Sequence, residues 1–206
     1  MQQSFKCLFI GLTASIIHFC FFETQNVYAQ TQFRDSDCYE IRSLNKNFAT
    51  DKRYFRYLGA RSLMRQNQES GTLSAYGSIP ALEAKSQHVR FWKVTNTSKG
   101  FLLTTRASGS NGSALLNLDA SSDGKTLALN RIGNITHGQY WQLEPDQGAY
   151  RIRSLNNNFR SQNYRWLDGK SNGSTVSIVN GKSHGTLWEI KSMGVCPSWF
   201  TGNAVR

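Results

Sequence analysis

The 206-residue sequence lacks the short motifs that carry metal-dependent proteolysis and phosphate binding. It contains no His-Glu-x-x-His and no glycine-rich phosphate loop, and no pair of carboxylates stands in a recognisable catalytic setting. Cys38 is better explained as a disulfide partner than as a nucleophile. The sequence therefore predicts a protein that is not an enzyme, and it implies no cofactor and no metal.

The sequence also lacks an apolar run long enough for a typical membrane-spanning helix. The run at 7–22 is shorter than the roughly 20 residues that such a helix needs, and small residues precede a cleavage site after Ala29. We interpret residues 1–29 as a secretory signal peptide, with an uncleaved anchor as the alternative. Cys20 has no lipobox before it, which disfavours a lipoprotein. The expected product is a single secreted or periplasmic domain, 30–206, without a membrane span.

Acidic side chains are few, since 13 Asp and Glu oppose 24 Lys and Arg and give a net charge of +11. Such a surplus favours polyanionic partners, although it also keeps a secreted protein soluble. The strongest basic cluster is interleaved with Tyr54, Phe55 and Tyr57. Its members are Lys46, Lys52, Arg53, Arg56, Arg61 and Arg65. This pattern suits an acidic polysaccharide or a solvated face, and nucleic acid is the least favoured partner.

Cysteine is scarce as well, because two of the four cysteines lie in the predicted signal peptide. Cys38 and Cys196 remain near the two ends of the domain. In an exported chain, two cysteines most simply form one disulfide. This pairing requires the ends of the domain to meet.

The chain does contain an internal repeat, marked by a histidine four residues before a tryptophan. The three pairs are His88 and Trp92, His137 and Trp141, and His184 and Trp188, with the tryptophans 49 and 47 residues apart. A period of this size indicates one supersecondary unit present in three copies. We interpret the tryptophans as core residues. The histidines fall in separate peripheral loops, which disfavours a shared zinc site.

Each copy has the alternation that is typical of strands. The segment 39–48 closely matches 150–159, and each copy ends in an aromatic-rich strand around its tryptophan. The pattern predicts an all-β fold, a β-trefoil of three four-stranded copies at about 38–95, 100–144 and 149–192. Copy one is longer by about a dozen residues, and we expect the insertion between Arg61 and Ser86.

The repeated sequence resembles the ricin-type lectin family, most clearly in copies two and three. The residues that carry the resemblance are Gly138-Gln139-Tyr140-Trp141, which contains the family's Gln-x-Trp, then Tyr150-x-Ile152, Leu167-Asp168, Asn172-Gly173 and Leu187-Trp188. The resemblance covers residues 38–192 and implies a β-trefoil that binds carbohydrate. A weaker resemblance, to the arabinose-binding trefoil domains, rests on the segment 54–58.

The resemblance implies sugar pockets in copies two and three. Asp119 and Asp168 match the aspartate that holds sugar hydroxyls in this family, whereas Gly59 replaces it in copy one. The family's stacking aromatic is absent, because Asn130 and Val179 occupy its position, and Tyr164 or Trp166 is the candidate substitute in copy three. The predicted carbohydrate-binding residues are Asp119, Asn130, His137, Gln139, Trp166, Asp168, Asn180 and His184.

A structural interpretation of these residues stays open beside the functional one. Aspartates are common in turns, where they accept hydrogen bonds from nearby backbone, and Gln139 suits a structural partner between strands. Two functions follow. The first is a secreted lectin-like protein that binds glycans or glycoconjugates. The second is a non-catalytic interaction protein or toxin subunit that binds a protein partner or a polyanionic glycan through its basic face.

Overall fold

The computed structural model describes residues 33–46, 55–66, 73–84, 91–109, 112–120, 127–133, 135–156, 164–170 and 175–201. The predicted signal peptide lies outside these residues. No helix within the described ranges is long and apolar enough to cross a membrane. The chain from Phe33 onward forms one compact unit.

The described residues form twelve β-strands, and helical structure is confined to short segments. The strands are β1 Asp37–Ser43, β2 Phe55–Gln66, β3 Leu73–Ala84, β4 Phe91–Thr97, β5 Gly100–Gly109, β6 Gly112–Ala120, β7 Leu127–Arg131, β8 Trp141–Asp146, β9 Ala149–Ser154, β10 Tyr164–Gly169, β11 Val176–Asn180 and β12 Leu187–Val195. Two 3₁₀ turns, His137–Gln139 and His184–Thr186, precede β8 and β12, and helix α1 spans Ser198–Thr201. The predicted all-β class is confirmed.

Six of the strands close into a barrel. In order around the barrel they are β1, β4, β5, β8, β9 and β12, each antiparallel to the next, and β12 returns to pair with β1. The other six form three hairpins, β2–β3, β6–β7 and β10–β11. These hairpins join the barrel through β1, β5 and β9 respectively.

The extra length of copy one lies in its hairpin. Strands β2 and β3 have 12 residues each and stay paired almost throughout, whereas β10 and β11 have 6 and 5. Pro80 lies within β3 opposite Ala60. The predicted insertion therefore lengthens this hairpin and adds no separate element to the described chain.

The three tryptophans of the repeat occupy the core in the same way. Trp92, Trp141 and Trp188 are fully buried, and each indole N–H donates to a main-chain carbonyl on the hairpin strand of its own copy. The acceptors are Leu58, Leu118 and Leu167, at 2.6, 3.0 and 2.9 Å. A buried indole usually finds such a partner, so this bond fixes each hairpin strand relative to the barrel.

Phe33, just before the first strand, packs on the first aromatic of every copy. Its ring centroid lies 5.3 Å from that of Tyr39, 5.5 Å from Phe101 and 5.7 Å from Tyr150. The Tyr39 hydroxyl accepts the main-chain N–H of Arg34 at 2.7 Å, and burial raises the pKa of that hydroxyl. One ring thus joins the openings of β1, β5 and β9.

The predicted disulfide between Cys38 and Cys196 is confirmed. The two Cα atoms lie 4.7 Å apart although 158 positions separate the residues in the chain. Both cysteines are buried beside Phe200. Trp199, which follows the bridge, is 45% exposed, with its ring 5.7 Å from that of Phe91.

Candidate functional site

The two predicted aspartates occupy matching places in their copies. Asp119 on β6 and Asp168 on β10 each follow the leucine whose carbonyl accepts the tryptophan N–H. Successive side chains of a strand point to opposite faces, so each leucine enters the core and each aspartate leaves it. Both aspartates are nevertheless only 6% exposed. Their carboxylates are thus held just beneath the surface.

A hydroxyl from the residue before each 3₁₀ turn donates to the aspartate. Thr136 Oγ1 lies 2.8 Å from Asp119 Oδ2, and Ser183 Oγ lies 3.0 Å from Asp168 Oδ2. Hydrogen bonds to a carboxylate are stronger than those between neutral groups. Each aspartate therefore anchors the turn that leads into the closing strand of its copy.

The glycine of each turn lies against the same carboxylate. A Cβ added at Gly138 would lie under 3.0 Å from Asp119 Oδ1, and one added at Gly185 would lie 2.8 Å from the carboxyl carbon of Asp168. The sequence of copy one replaces both partners, with Gly59 after its leucine and Val89 three residues before its tryptophan. Carboxylate and glycine thus occur together in copies two and three, and both are absent from copy one.

We expect alanine to be tolerated differently at the two glycines. At Gly138 the new methyl group also meets the Ala120 carbonyl oxygen, which is main chain, whereas at Gly185 the nearest atoms all belong to the Asp168 side chain. Overpacking costs about 1–3 kcal/mol, and we expect Gly138→Ala to lie at the upper end of this range and Gly185→Ala at the lower end. Urea denaturation measures both.

A double-mutant cycle is the control for this prediction. In an Asp168→Gly background the space beside Gly185 is vacated, so Gly185→Ala should cost less than it does in the wild type. An equal loss in both backgrounds would contradict the proposed contact between the glycine and the carboxylate.

Several of the other predicted residues surround these carboxylates. Asn130 is exposed, and its Nδ2 donates to Asp119 Oδ2 at 3.0 Å. His137 and His184 begin the two turns and are exposed, as is Asn180 at the end of β11. The structure therefore brings Asn130 onto Asp119 and leaves the two imidazoles accessible beside the turns.

Gln139 lies in the interior. The predicted contact with a sugar requires it at the surface. Its side chain is fully buried, and its Oε1 accepts from Asn117 Nδ2 at 2.8 Å. Asn117 Oδ1 in turn accepts from Thr104 Oγ1 at 2.6 Å. This network links β5, β6 and the turn, so Gln139 positions the turn and has no exposed surface to offer a ligand.

Trp166 places an aromatic ring beside Asp168. The two residues are two apart on β10, so their side chains share one face of the strand. Trp166 is half-buried, and the ammonium of Lys182 lies 4.7 Å from its ring centroid. Asn117 holds the matching position in copy two, so that position provides no ring beside Asp119.

Other supporting residues were missed by sequence reasoning. Asn45 Nδ2 donates to the Gly169 carbonyl at 2.8 Å, and Asn156 Nδ2 donates to the Ala120 carbonyl at 2.7 Å. Each bond fixes the residue directly after a site aspartate from a neighbouring copy. Both asparagines end a Ser-Leu-Asn sequence, at 43–45 and 154–156, and this repeat could have indicated their role.

Ser183 lies in a Gly-x-Ser-x-Gly stretch at 181–185, and a second such stretch at 169–173 falls partly outside the described residues. In a nucleophile elbow the serine stands on a sharp turn from strand to helix with its Oγ exposed. Here Ser183 forms a capping box with Thr186, and its Oγ donates to Asp168. The serine caps a 3₁₀ turn, which is not the setting of a nucleophile.

The remaining predictions concern metal and the basic cluster. Among the described residues, no group of three His, Cys, Asp or Glu could hold a metal ion, and His88 lies outside them. Within the basic cluster Lys46 is exposed, and Arg56 and Tyr57 are half-buried. The other side chains of the cluster fall outside the described part of the chain.

Comparison with known proteins supports a ricin B-like fold. Cry35Ab1, which has this fold, matches with a TM-score of 0.52 and 14% identity over 80% of this chain. This chain spans 38% of the length of Cry35Ab1. The Macrolepiota procera ricin B-like lectin in complex with lactose matches with a TM-score of 0.43 and 19% identity, covering 78% of this chain and 99% of that one. No protein-family model and no curated protein matches the sequence.

Proposed function

We propose that this chain is a secreted, non-catalytic carbohydrate-binding protein. We further propose that its barrel and three hairpins are a β-trefoil of the three copies given above, in a domain that follows a cleaved signal peptide. Support for the copies comes from the tryptophan N–H bonds to Leu58, Leu118 and Leu167. Support for export comes from the disulfide.

The observation that carries the proposal is the pairing of Asp168 with Trp166 in copy three. A shallow sugar site needs a carboxylate for ring hydroxyls and an aromatic face for the apolar side of the ring. Asp168 Oδ2 accepts from Ser183, while Oδ1 faces Lys170 Nζ at 3.7 Å in a partly exposed ion pair. Lys170 is therefore the partner that a sugar hydroxyl replaces most easily.

Copy two provides the weaker site in this proposal. Asp119 Oδ2 already accepts from Asn130 and Thr136, and Asn117 takes the place of the ring. A glycan bound there relies on hydrogen bonds to Asn130 and His137 at the rim. Two weak sites on one domain gain affinity together when both engage the same surface.

We expect Asp168→Asn to lower the affinity for glycans at least about tenfold, because a hydrogen bond to a charged group is lost. Asp119→Asn should have a smaller effect, since copy two lacks the ring. The measurement is a glycan array followed by calorimetry on the best glycan. Asp35→Asn, at an exposed aspartate outside both sites, is the matched control and should bind like the wild type.

A second candidate function is that of an interaction protein or toxin subunit, favoured by one observation. Met193, Val195 and Trp199 near the C-terminal end are 41%, 75% and 45% exposed. Exposed apolar side chains this close in sequence suit a protein partner. If neither aspartate variant changes binding on the array, the sugar pockets are not the binding sites and this second function is favoured.

A further inference from the structure

Positive charges gather around the Trp166 ring. Lys182 Nζ lies 4.7 Å from the ring centroid, and Arg153 on β9 is in register with Trp166 on β10. Lys170 Nζ lies 3.7 Å from Asp168 Oδ1, on the strand face that Asp168 shares with Trp166. One cation therefore lies over the indole, a second occupies the paired position on the neighbouring strand, and a third lies at the adjacent carboxylate.

Fewer carboxylates than cations lie in these contacts. Glu144 pairs with both Lys182, at 3.4 Å, and Arg153, at 3.5 Å, and Asp168 pairs with Lys170. One carboxylate thus serves two cations, and the other is largely covered by Ser183 and Gly185. These five side chains together carry a net positive charge.

The corresponding positions of the other copies differ. In copy two, Thr104 and Asn117 replace the arginine and the tryptophan, and they bond to each other in the interior. In copy one, Arg42 faces Tyr57 but pairs with Glu189 at 2.7 Å, and Gly59 replaces the aspartate. Within the described residues, copy three is the copy in which an aspartate, an aromatic ring and two cations that share one carboxylate come together.

We propose that the copy-three site takes a sugar that carries a negatively charged substituent, a carboxylate or a sulfate. This inference rests on the proposed function of the same site and specifies its ligand. The sugar ring stacks on Trp166 in the place now held by the Lys182 ammonium, and a hydroxyl replaces Lys170 at Asp168. The anionic substituent then pairs with the displaced Lys182 and with Arg153.

The charge of the ligand matters because the ring face is already occupied. A neutral sugar that stacks on Trp166 removes the contact between the ring and the ammonium, and it offers Lys182 no charged partner in exchange. An anionic substituent provides a new partner for that ammonium in the same place. The geometry therefore favours the anionic sugar over its neutral analogue.

The test measures affinities of the full secreted chain by calorimetry with three probes. They are a galacturonate oligosaccharide, a carrageenan-derived sulfated oligosaccharide without carboxylates, and lactose, and the first two distinguish carboxylate from sulfate. The variant is Lys182→Gln. Lys99→Gln is the matched control, because Lys99 Nζ also lies over an aromatic ring, 5.7 Å from the Tyr140 centroid, outside the copy-three cluster.

We expect at least one anionic probe to bind more tightly than lactose. Lys182→Gln should lower that affinity about tenfold, because a charged partner is lost. Lys99→Gln should change it less than about twofold, because an exposed charge away from the ligand acts weakly. Trp166→Ala should abolish the binding while far-UV circular dichroism stays that of the wild type.

Four results would overturn the inference, and the first three separate it from the proposed function. If lactose binds as tightly as the anions and Asp168→Asn weakens it, the sugar site stands and the preference for charge is wrong. If Lys182→Gln behaves like Lys99→Gln, or if anion binding survives Trp166→Ala, the anionic probe binds elsewhere on the basic surface. If no probe and no arrayed glycan binds, the inference and the proposed function fail together.

Discussion

Trp188→Ala is expected to lower the free energy of unfolding by about 3–5 kcal/mol, as large aromatic truncations in cores do. The indole is fully buried, and its N–H is bonded to the Leu167 carbonyl. The variant therefore leaves both a cavity and an unsatisfied acceptor next to Asp168. Urea denaturation followed by far-UV circular dichroism measures the loss.

Two further variants separate the causes of this loss. Trp188→Phe keeps most of the ring volume but removes the N–H, so it should lose about 1–3 kcal/mol, less than the alanine variant. Trp199→Ala is the matched control, because Trp199 is 45% exposed and its removal should cost less than about 1 kcal/mol. Equal losses at Trp188 and Trp199 would contradict the core role of the repeated tryptophan.

Replacing both Cys38 and Cys196 by alanine is expected to produce a second large loss. The bridge closes a loop of 158 positions, and the loop-entropy estimate for such a length is about 5 kcal/mol as an upper value. A loss of about 3 kcal/mol lowers the melting temperature of a domain this size by about 10 °C. Differential scanning calorimetry measures the shift.

The wild type after reduction is the internal control for the disulfide. Reduced wild type and the double alanine variant should melt at similar temperatures, because both lose the same closure of the unfolded chain. A double variant that melts within a degree or two of the oxidised wild type would show that the ends of the domain stay together without the bridge. It would then be packing around Phe200 that joins them.

The barrel was accessible from sequence because large buried aromatics impose a strict spacing. Trp92, Trp141 and Trp188 recur at near-equal intervals, since each must donate to the same carbonyl of its own hairpin. The disulfide was equally accessible, because only two cysteines remain after the predicted signal peptide. Patterns of this kind survive in the sequence because the core tolerates few substitutions.

The site was only partly accessible because its side chains come from separate strands. The position of Asp168 followed from its match to Asp119, but the contact of Lys182 with Trp166 depends on how two hairpin strands and a turn fold together. The burial of Gln139 was equally hidden, since its partner Asn117 lies 22 positions away. A resemblance identifies which positions matter, and only coordinates show which of them face solvent.

Copy one differs from the other copies at two positions that are linked by packing. Gly59 replaces the aspartate of the other copies, and Val89 replaces the glycine of the turn. In copies two and three the carboxylate fills the space that a Cβ would need. An aspartate at the one position therefore requires glycine at the other, and the sequence of copy one has neither.

Phe33 limits how far the three copies can act as interchangeable modules. The ring belongs to none of them, and it meets Tyr39 and Phe101 at steep interplanar angles of 72° and 74° but Tyr150 at 53°. Three identical units fused in tandem would still need this fourth part to complete the end of the barrel. A circular permutant that starts at copy two would place Phe33 inside the new junction. The length of that junction would decide whether the ring again reaches Tyr39, Phe101 and Tyr150.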